Sequence, residues 1–234
     1  PAPMPPRRKV VPKMTRLAPG GGNTRPPTTM QCPYCQSPLL EGSPACPRCG
    51  LTLEKAGAFF GTAPRLIRGV SDSAGVLAAA DVRKIKRAIV QFERRFPQTG
   101  FTVAFMELPA DSPGATYAYW VFNRSNPAGE LNQGCENRHL FLLVDTAGGG
   151  AWMTVGYGLE PFIGERHLQQ CLERTRVPFA AGEYAAGVIA LLGEAESVFR
   201  EVIGTLPRAF GLNQNESAPQ AQSEEAEPET AAAW

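Results

Sequence analysis

The stretch Glu136–Glu160, ENRHLFLLVDTAGGGAWMTVGYGLE, decides the fold. Two apolar runs, 140–145 and 151–155, flank Thr146-Ala147-Gly148-Gly149-Gly150. Short runs rich in Leu, Val, Phe and Trp on either side of a glycine turn predict a β-hairpin. Both runs are apolar on both faces, which predicts inner strands with helices covering each side of the sheet. Gly156-Tyr157-Gly158-Leu159-Glu160 then predicts a tight turn. Glu136 and Asn137 before the hairpin, and Glu160 after it, set polar groups at its ends, where a ligand would sit.

Upstream, Val82, Ile85, Ile89, Phe92 and Phe96 recur three and four residues apart, so 78–96 predicts a helix with one apolar stripe. Arg83, Lys84, Lys86, Arg87, Arg94 and Arg95 crowd the rest of its surface. Pro97 and Gly100 end it. A buried strand is predicted at 101–108, a short helix at 116–122 and a polar loop at 123–133. Downstream, helices are predicted at 165–176, stopping before Pro178, and at 184–203. The expected fold class is α/β: a small mixed sheet sandwiched between helices.

The formal net charge of +1 hides an asymmetry. Residues 1–30 hold six Lys/Arg and no acid, while 212–234 hold five Glu and no base. The body between is balanced. A basic arm, with Arg7-Arg8-Lys9, Lys13 and Arg16, suits an anionic partner: an acidic protein surface, lipid headgroups or nucleic acid. It equally reads as a solvated linker. Both ends are too poor in apolar residues to fold alone. No run reaches the roughly 18 apolar residues that span a bilayer, and none reads as a signal peptide.

Six cysteines are present. Cys32-Pro33-Tyr34-Cys35 and Cys46-Pro47-Arg48-Cys49 form two knuckles that can aim four thiolates at one tetrahedral ion, the pattern of a short zinc ribbon. A redox pair needs only one such knuckle, and a rubredoxin-like iron site usually has more chain between the two. Structural zinc is therefore expected. With so few apolar residues at 31–53, the ion supplies most of the folding free energy of this module, on the order of 10 kcal/mol. Cys135 and Cys171 carry no nucleophile signature. Thiolate ligands and unpaired thiols suit a reducing compartment, so a cytoplasmic chain is expected.

Five segments follow: a basic arm 1–30, a zinc ribbon 31–53, a linker 54–68, an α/β domain 69–204 and an acidic tail 205–234 expected to stay unstructured. Residues 69–77 read as turn. His139 and His167 lie in no acid–base spacing and read as structural. Gly148-Gly149-Gly150 lies between strands, not before a helix with a lysine, so it does not read as a phosphate cradle.

Taken together, Val70-Ser71-Asp72-Ser73-Ala74-Gly75-Val76-Leu77, Gly100-Phe101-Thr102-Val103-Ala104, Glu136-Asn137, Gly156-Tyr157-Gly158-Leu159-Glu160, Pro178-Phe179 and Gly182-Glu183-Tyr184-Ala185-Ala186-Gly187 resemble the TPM domain family over 69–203. That family includes a thylakoid-lumen acid phosphatase and photosystem repair factors. The resemblance implies a ligand site where loops meet. It carries over Asp72, Asn137 and Glu160 as candidate calcium ligands, with Glu136 in the acidic position. Where the family has Asp-Asn-Gly this chain has Glu136-Asn137-Arg138, and the Arg138 cation opposes a bound cation. Asp72 also reads as a turn residue at a helix start.

The function expected from this is a non-catalytic accessory or assembly subunit. It would dock through the TPM domain, the zinc ribbon and the basic arm on a larger membrane-associated complex, a photosynthetic reaction centre by the resemblance. A place on the cytoplasmic membrane face follows. The alternatives are a calcium-dependent acid phosphatase and a nucleic-acid-associated zinc-ribbon protein. The last lacks base-stacking aromatics beside its cations, so nucleic acid is not an expected partner.

Overall fold

A computed structural model describes residues 29–40, 43–127 and 138–209. Its centre is a four-stranded sheet. The strands are β3 (Val70–Asp72), β4 (Gly100–Met106), β5 (His139–Asp145) and β6 (Ala151–Val155), in that spatial order. β3, β4 and β5 are parallel, and β6 turns back antiparallel to β5. This is the mixed α/β sheet that the hairpin implied.

Alternation along the strands builds two cores. Phe101, Val103 and Phe105 of β4 and Leu140, Leu142 and Val144 of β5 point to one face. There they meet α2 (Ala79–Arg95), α4 (Glu165–Glu173) and α6 (Tyr184–Ala209). Ala104, Met106, Phe141 and Leu143 point the other way, against α3 (Gly114–Arg124) and α1 (Leu53–Phe60). Phe92 lies edge-on to Phe101 and Phe199 and clamps α2 to both sheet and α6. Truncating such a phenylalanine to alanine costs about 3–5 kcal/mol.

Four expectations need correction. β6 is not an inner strand. It is the sheet edge, half-exposed along most of its length, with Trp152 and Met153 packing on opposite faces. The span 54–68, expected as a linker, holds all but the first residue of α1. Thr52 caps this helix by accepting from the Lys55 N–H, and Gly61, at φ +85°, ends it. The turn at 69–77 contains β3, too short to show a period. The helix predicted at 165–176 does stop before Pro178, but at Glu173, and Pro178 belongs to a further helix. It sits third in α5 (Arg176–Ala180), where a missing N–H costs nothing because first-turn N–H groups have no helical partner.

Helix α6 runs six residues past the predicted 203, into the span expected as tail. Residues 1–28, 128–137 and 210–234, and with them Cys135, Glu136, Asn137 and most of the arm and the acidic tail, lie outside the described residues. Among the described residues no helix is long and apolar enough to cross a membrane.

Candidate metal centre

The two cysteine knuckles repeat one hydrogen-bond pattern. In the first, the Cys32 N–H donates to the Ser37 carbonyl and the Gln36 N–H to the Cys32 carbonyl, both at 2.9 Å. In the second, the Cys46 N–H donates to the Leu51 carbonyl at 3.0 Å and the Gly50 N–H to the Cys46 carbonyl at 2.8 Å. Each knuckle closes on a residue in the left-handed region, Gln36 at φ +58° and Gly50 at φ +66°. Only the second uses glycine there. Strands β1 (Thr29–Gln31) and β2 (Pro38–Leu40) pair antiparallel and brace the first knuckle.

The four sulfurs converge. Cys32 Sγ is 3.7 Å from Cys49 Sγ, and Cys35 Sγ is 3.6 Å from Cys46 Sγ. All four ligand atoms lie within 4.8 Å of one another. A tetrahedral ion with metal–sulfur bonds of about 2.3 Å needs sulfurs about 3.8 Å apart, so the donor set fits. Cys32 and Cys46 are buried, while Cys35 and Cys49 are half-buried.

The thiols differ in acidity. At Cys35 burial pushes upward, but hydrogen bonds from the Ser37 side chain and backbone and from Cys49 and Cys46 outweigh it, bringing the thiol down to about 6. Burial, with the three neighbouring thiols, pushes Cys49 up to about 12 despite the Leu51 backbone bond. A metal must displace those protons, so affinity rises with pH. Ser37 Oγ stands 3.3 Å from Cys35 Sγ and accepts from Arg48 at 3.2 Å, an outer contact of the kind that orients a ligand. Four sulfurs fill four positions and leave none for substrate.

The centre is built onto the α/β domain. The buried Thr116 hydroxyl on α3 donates to the Pro33 carbonyl, and Leu51 and Leu53 pack into the core that holds Tyr117 and Trp120.

Two of the candidate calcium ligands, Asp72 and Glu160, lie far apart. Asp72 ends β3 in the row of Phe105, Val144 and Ala151. The turn that carries Glu160 follows Val155, in the row of Leu140 and Phe101. Those rows are about 13 Å apart along the strands, and β3 and β6 are three strand spacings apart, about 14 Å across. The turn stays at its own end, since Leu159 is buried and its N–H returns to the Gly156 carbonyl. Calcium ligands stand 2.3–2.6 Å from their ion, so Asp72 and Glu160 cannot share one. Asp72 instead accepts the N–H groups of Val76 and Leu77, at 3.2 and 2.9 Å, and clamps its own turn.

Neither histidine forms a catalytic pair. His139 is buried, with Nε2 3.0 Å from Thr102 Oγ1. Burial, aided by the Arg68 charge, holds it neutral, down to about 4. His167 accepts the Gly164 N–H at the start of α4. Burial and nearby Glu194 push the Cys171 thiol up to about 12, so it is a poor nucleophile. One feature escaped the sequence: a cavity of about 400 Å³ among Asp145, Gly150, Leu172, Arg176, Phe179 and Tyr184. The Asp145 carboxylate there already accepts from the Leu108 and Ala147 N–H groups. A carboxylate before a glycine turn was its only sequence signal.

A family model described as TPM domain matches residues 70–198. The solution structure of the N-terminal domain of a P. gingivalis protein is 20% identical, with a TM-score of 0.48 over 58% of this chain and 85% of that one. The N-terminal domain of a Corynebacterium glutamicum protein is 15% identical, with a TM-score of 0.44 over 58% and 82%. No curated protein matches the chain.

Proposed function

From the premise that this chain belongs to the TPM domain family, we propose that it is a non-catalytic accessory subunit that docks on a larger assembly. The observation that carries the reading is four cysteine sulfurs that converge at the spacing of a closed tetrahedral site and are held against helix α3, with no acid–base pair assembled among the described residues. Such a centre holds a surface in shape; it does not open a position to substrate. Zinc is the proposed ion, since four thiolates in a tetrahedron select zinc or iron and the chain between the knuckles is short.

The proposed assembly is membrane-associated, at the cytoplasmic face. The basic arm supports this through its attraction to anionic surfaces, and the family resemblance supports a photosynthetic reaction-centre complex as host. A calcium-dependent phosphatase is not proposed, because the sheet register separates Asp72 from Glu160. Isolation of the chain from membrane and cytosolic fractions of its own cells, with mass spectrometry of what accompanies it, tests the proposal. A stoichiometric membrane complex is expected, and deletion of residues 1–30 is expected to release the chain from it. A chain recovered alone from the cytosol overturns the docking role. A truncated chain that still co-purifies in full overturns the arm's part in it.

A further inference from the structure

One helix face is left with unbalanced charge. Arg83, Lys86, Arg87 and Arg94 are exposed on α2, and no described carboxylate pairs with any of them. The other cations nearby are engaged: Lys84 with Asp81, Arg95 with Glu196 and Arg68 with Glu93. Positions 83, 87, 90 and 94 recur four, three and four residues apart, so they form one stripe on a helix. The stripe lies opposite Ile85, Ile89 and Phe92, which face the core, and carries the 45% exposed Val90 at its middle. It is rigid, about 16 Å long, and holds three like charges, with Lys86 at its edge as a fourth, that repel one another without a counter-charge.

The chain's sequence supplies that counter-charge, after a helix that packs on the same side of the sheet as α2. Tyr184, at the start of α6, packs on Phe105 near the C-terminal end of β4. Phe199, further along, packs on Phe92 and Phe96 at the C-terminal end of α2. Helix α6 therefore runs in the direction of α2, and its last described residue, Ala209, lies beyond Arg94. Ala209 lies about 15 Å past Phe199. The residues that follow carry Glu216, Glu224, Glu225, Glu227 and Glu229 and no base through 234. An extended chain covers about 3.3 Å per residue, so Glu216 can stand about 23 Å from Ala209 and Glu229 about 66 Å. Both ends of the stripe are within reach. The basic arm, the other cationic segment, enters through β1 and the metal centre on the opposite face, over α1 and α3.

We infer that the acidic segment 213–234 folds back along the cationic stripe of α2 and neutralises it. Tethering gives the segment an effective concentration in the millimolar range without any partner. The contact is between exposed charges, so salt weakens it.

Carbodiimide coupling of the full chain tests this, because the reagent joins a carboxylate to a lysine amine as an amide only where the two already meet. Mass spectrometry of the monomer at low ionic strength is expected to find Lys86 joined to the glutamates of 213–234 as the dominant link. Its yield is expected to fall several-fold in 0.5 M salt, and also in the triple variant Arg83→Gln, Arg87→Gln, Arg94→Gln, which keeps Lys86 and alters only exposed side chains. Links that fall chiefly on Lys9 or Lys13 of the arm overturn the inference. So do links found only between chains, a yield that the triple variant leaves unchanged, or no link from the segment at all.

Discussion

The Thr116 hydroxyl reaches the Pro33 carbonyl at 3.2 Å, so a fully buried side chain of α3 holds the first cysteine knuckle against the α/β domain. One hydrogen bond of this kind contributes about 1 kcal/mol, and leaving a buried acceptor unpaired costs about 1–3 kcal/mol. Thr116→Val is therefore expected to loosen the knuckles while β4 stays protected. Hydrogen exchange at Gln36 and Gly50 is expected to quicken several-fold, with the amides of 101–105 unchanged, and Thr116→Ser is expected to restore the slow rate. Equal exchange in Thr116→Val and the parent would show that Leu51 and Leu53 alone hold the module.

The four convergent cysteines predict how a bound metal would be lost. Removal of Cys35 or Cys49, half-buried residues on opposite knuckles, would take one of four ligands from an ion that would supply on the order of 10 kcal/mol to its module. Metal analysis of the purified chain is expected to give one zinc per chain, falling close to none in Cys35→Ser or Cys49→Ser. The melting of the α/β domain is expected to survive, since neither hydrophobic core contains a cysteine of the knuckles. An iron-coloured chain, or a domain that unfolds on chelation, would contradict this.

Much of this was legible in the sequence, and the reasons differ by element. The β5–β6 hairpin was legible because two apolar runs flank a glycine turn, and the knuckles because thiolate spacing is a direct geometric constraint. The edge position of β6 was not. An edge strand with Trp152 packed beside Gly114 and Gly150 is as apolar as an inner one, and a Cβ at either glycine would overlap the indole. Helix α1 carried its signals, Thr52 as cap and Gly61 as stop, but eight residues with one fully buried side chain show little period. That Asp72 and Glu160 lie apart escaped the sequence for another reason. Motif order along the chain does not say at which end of a strand each loop lies, and β6 runs backwards.

His139 predicts a pH dependence. Its folded-state value of about 4 lies below the ordinary value for histidine, because burial, aided by Arg68, disfavours the charged ring. The unfolded chain therefore takes up a proton first as the pH falls. The contribution of the neutral ring is complete above about 6.5, and it is lost as the pH falls toward 4, to a total of about 3 kcal/mol. Thiolates that hold a metal would also lose it on that side, so the comparison is with His139→Gln, which keeps the four cysteines. Denaturant unfolding at several pH values is expected to show the parent losing more stability than the variant between pH 6.5 and 4. Parallel losses would place the proton uptake elsewhere.

Asp72 separates a turn clamp from a calcium ligand. Its two oxygens accept the Val76 and Leu77 N–H groups, so the carboxylate closes the turn between β3 and α2. Asp72→Ala removes both bonds and is expected to cost about 1–3 kcal/mol. Asp72→Asn keeps one amide oxygen as an acceptor and is expected to recover part of that loss. A calcium ligand would behave otherwise. Calcium would raise the melting temperature of the parent by mass action, and both variants would lose that gain alike, because a neutral amide is a far weaker partner for a divalent ion. Melting with and without millimolar calcium is expected to leave the parent unmoved and to rank the three chains parent, Asn, Ala. A calcium-dependent rise in the parent that disappears in Asp72→Asn would mean that the ion brings other oxygens to Asp72 than those of Glu160.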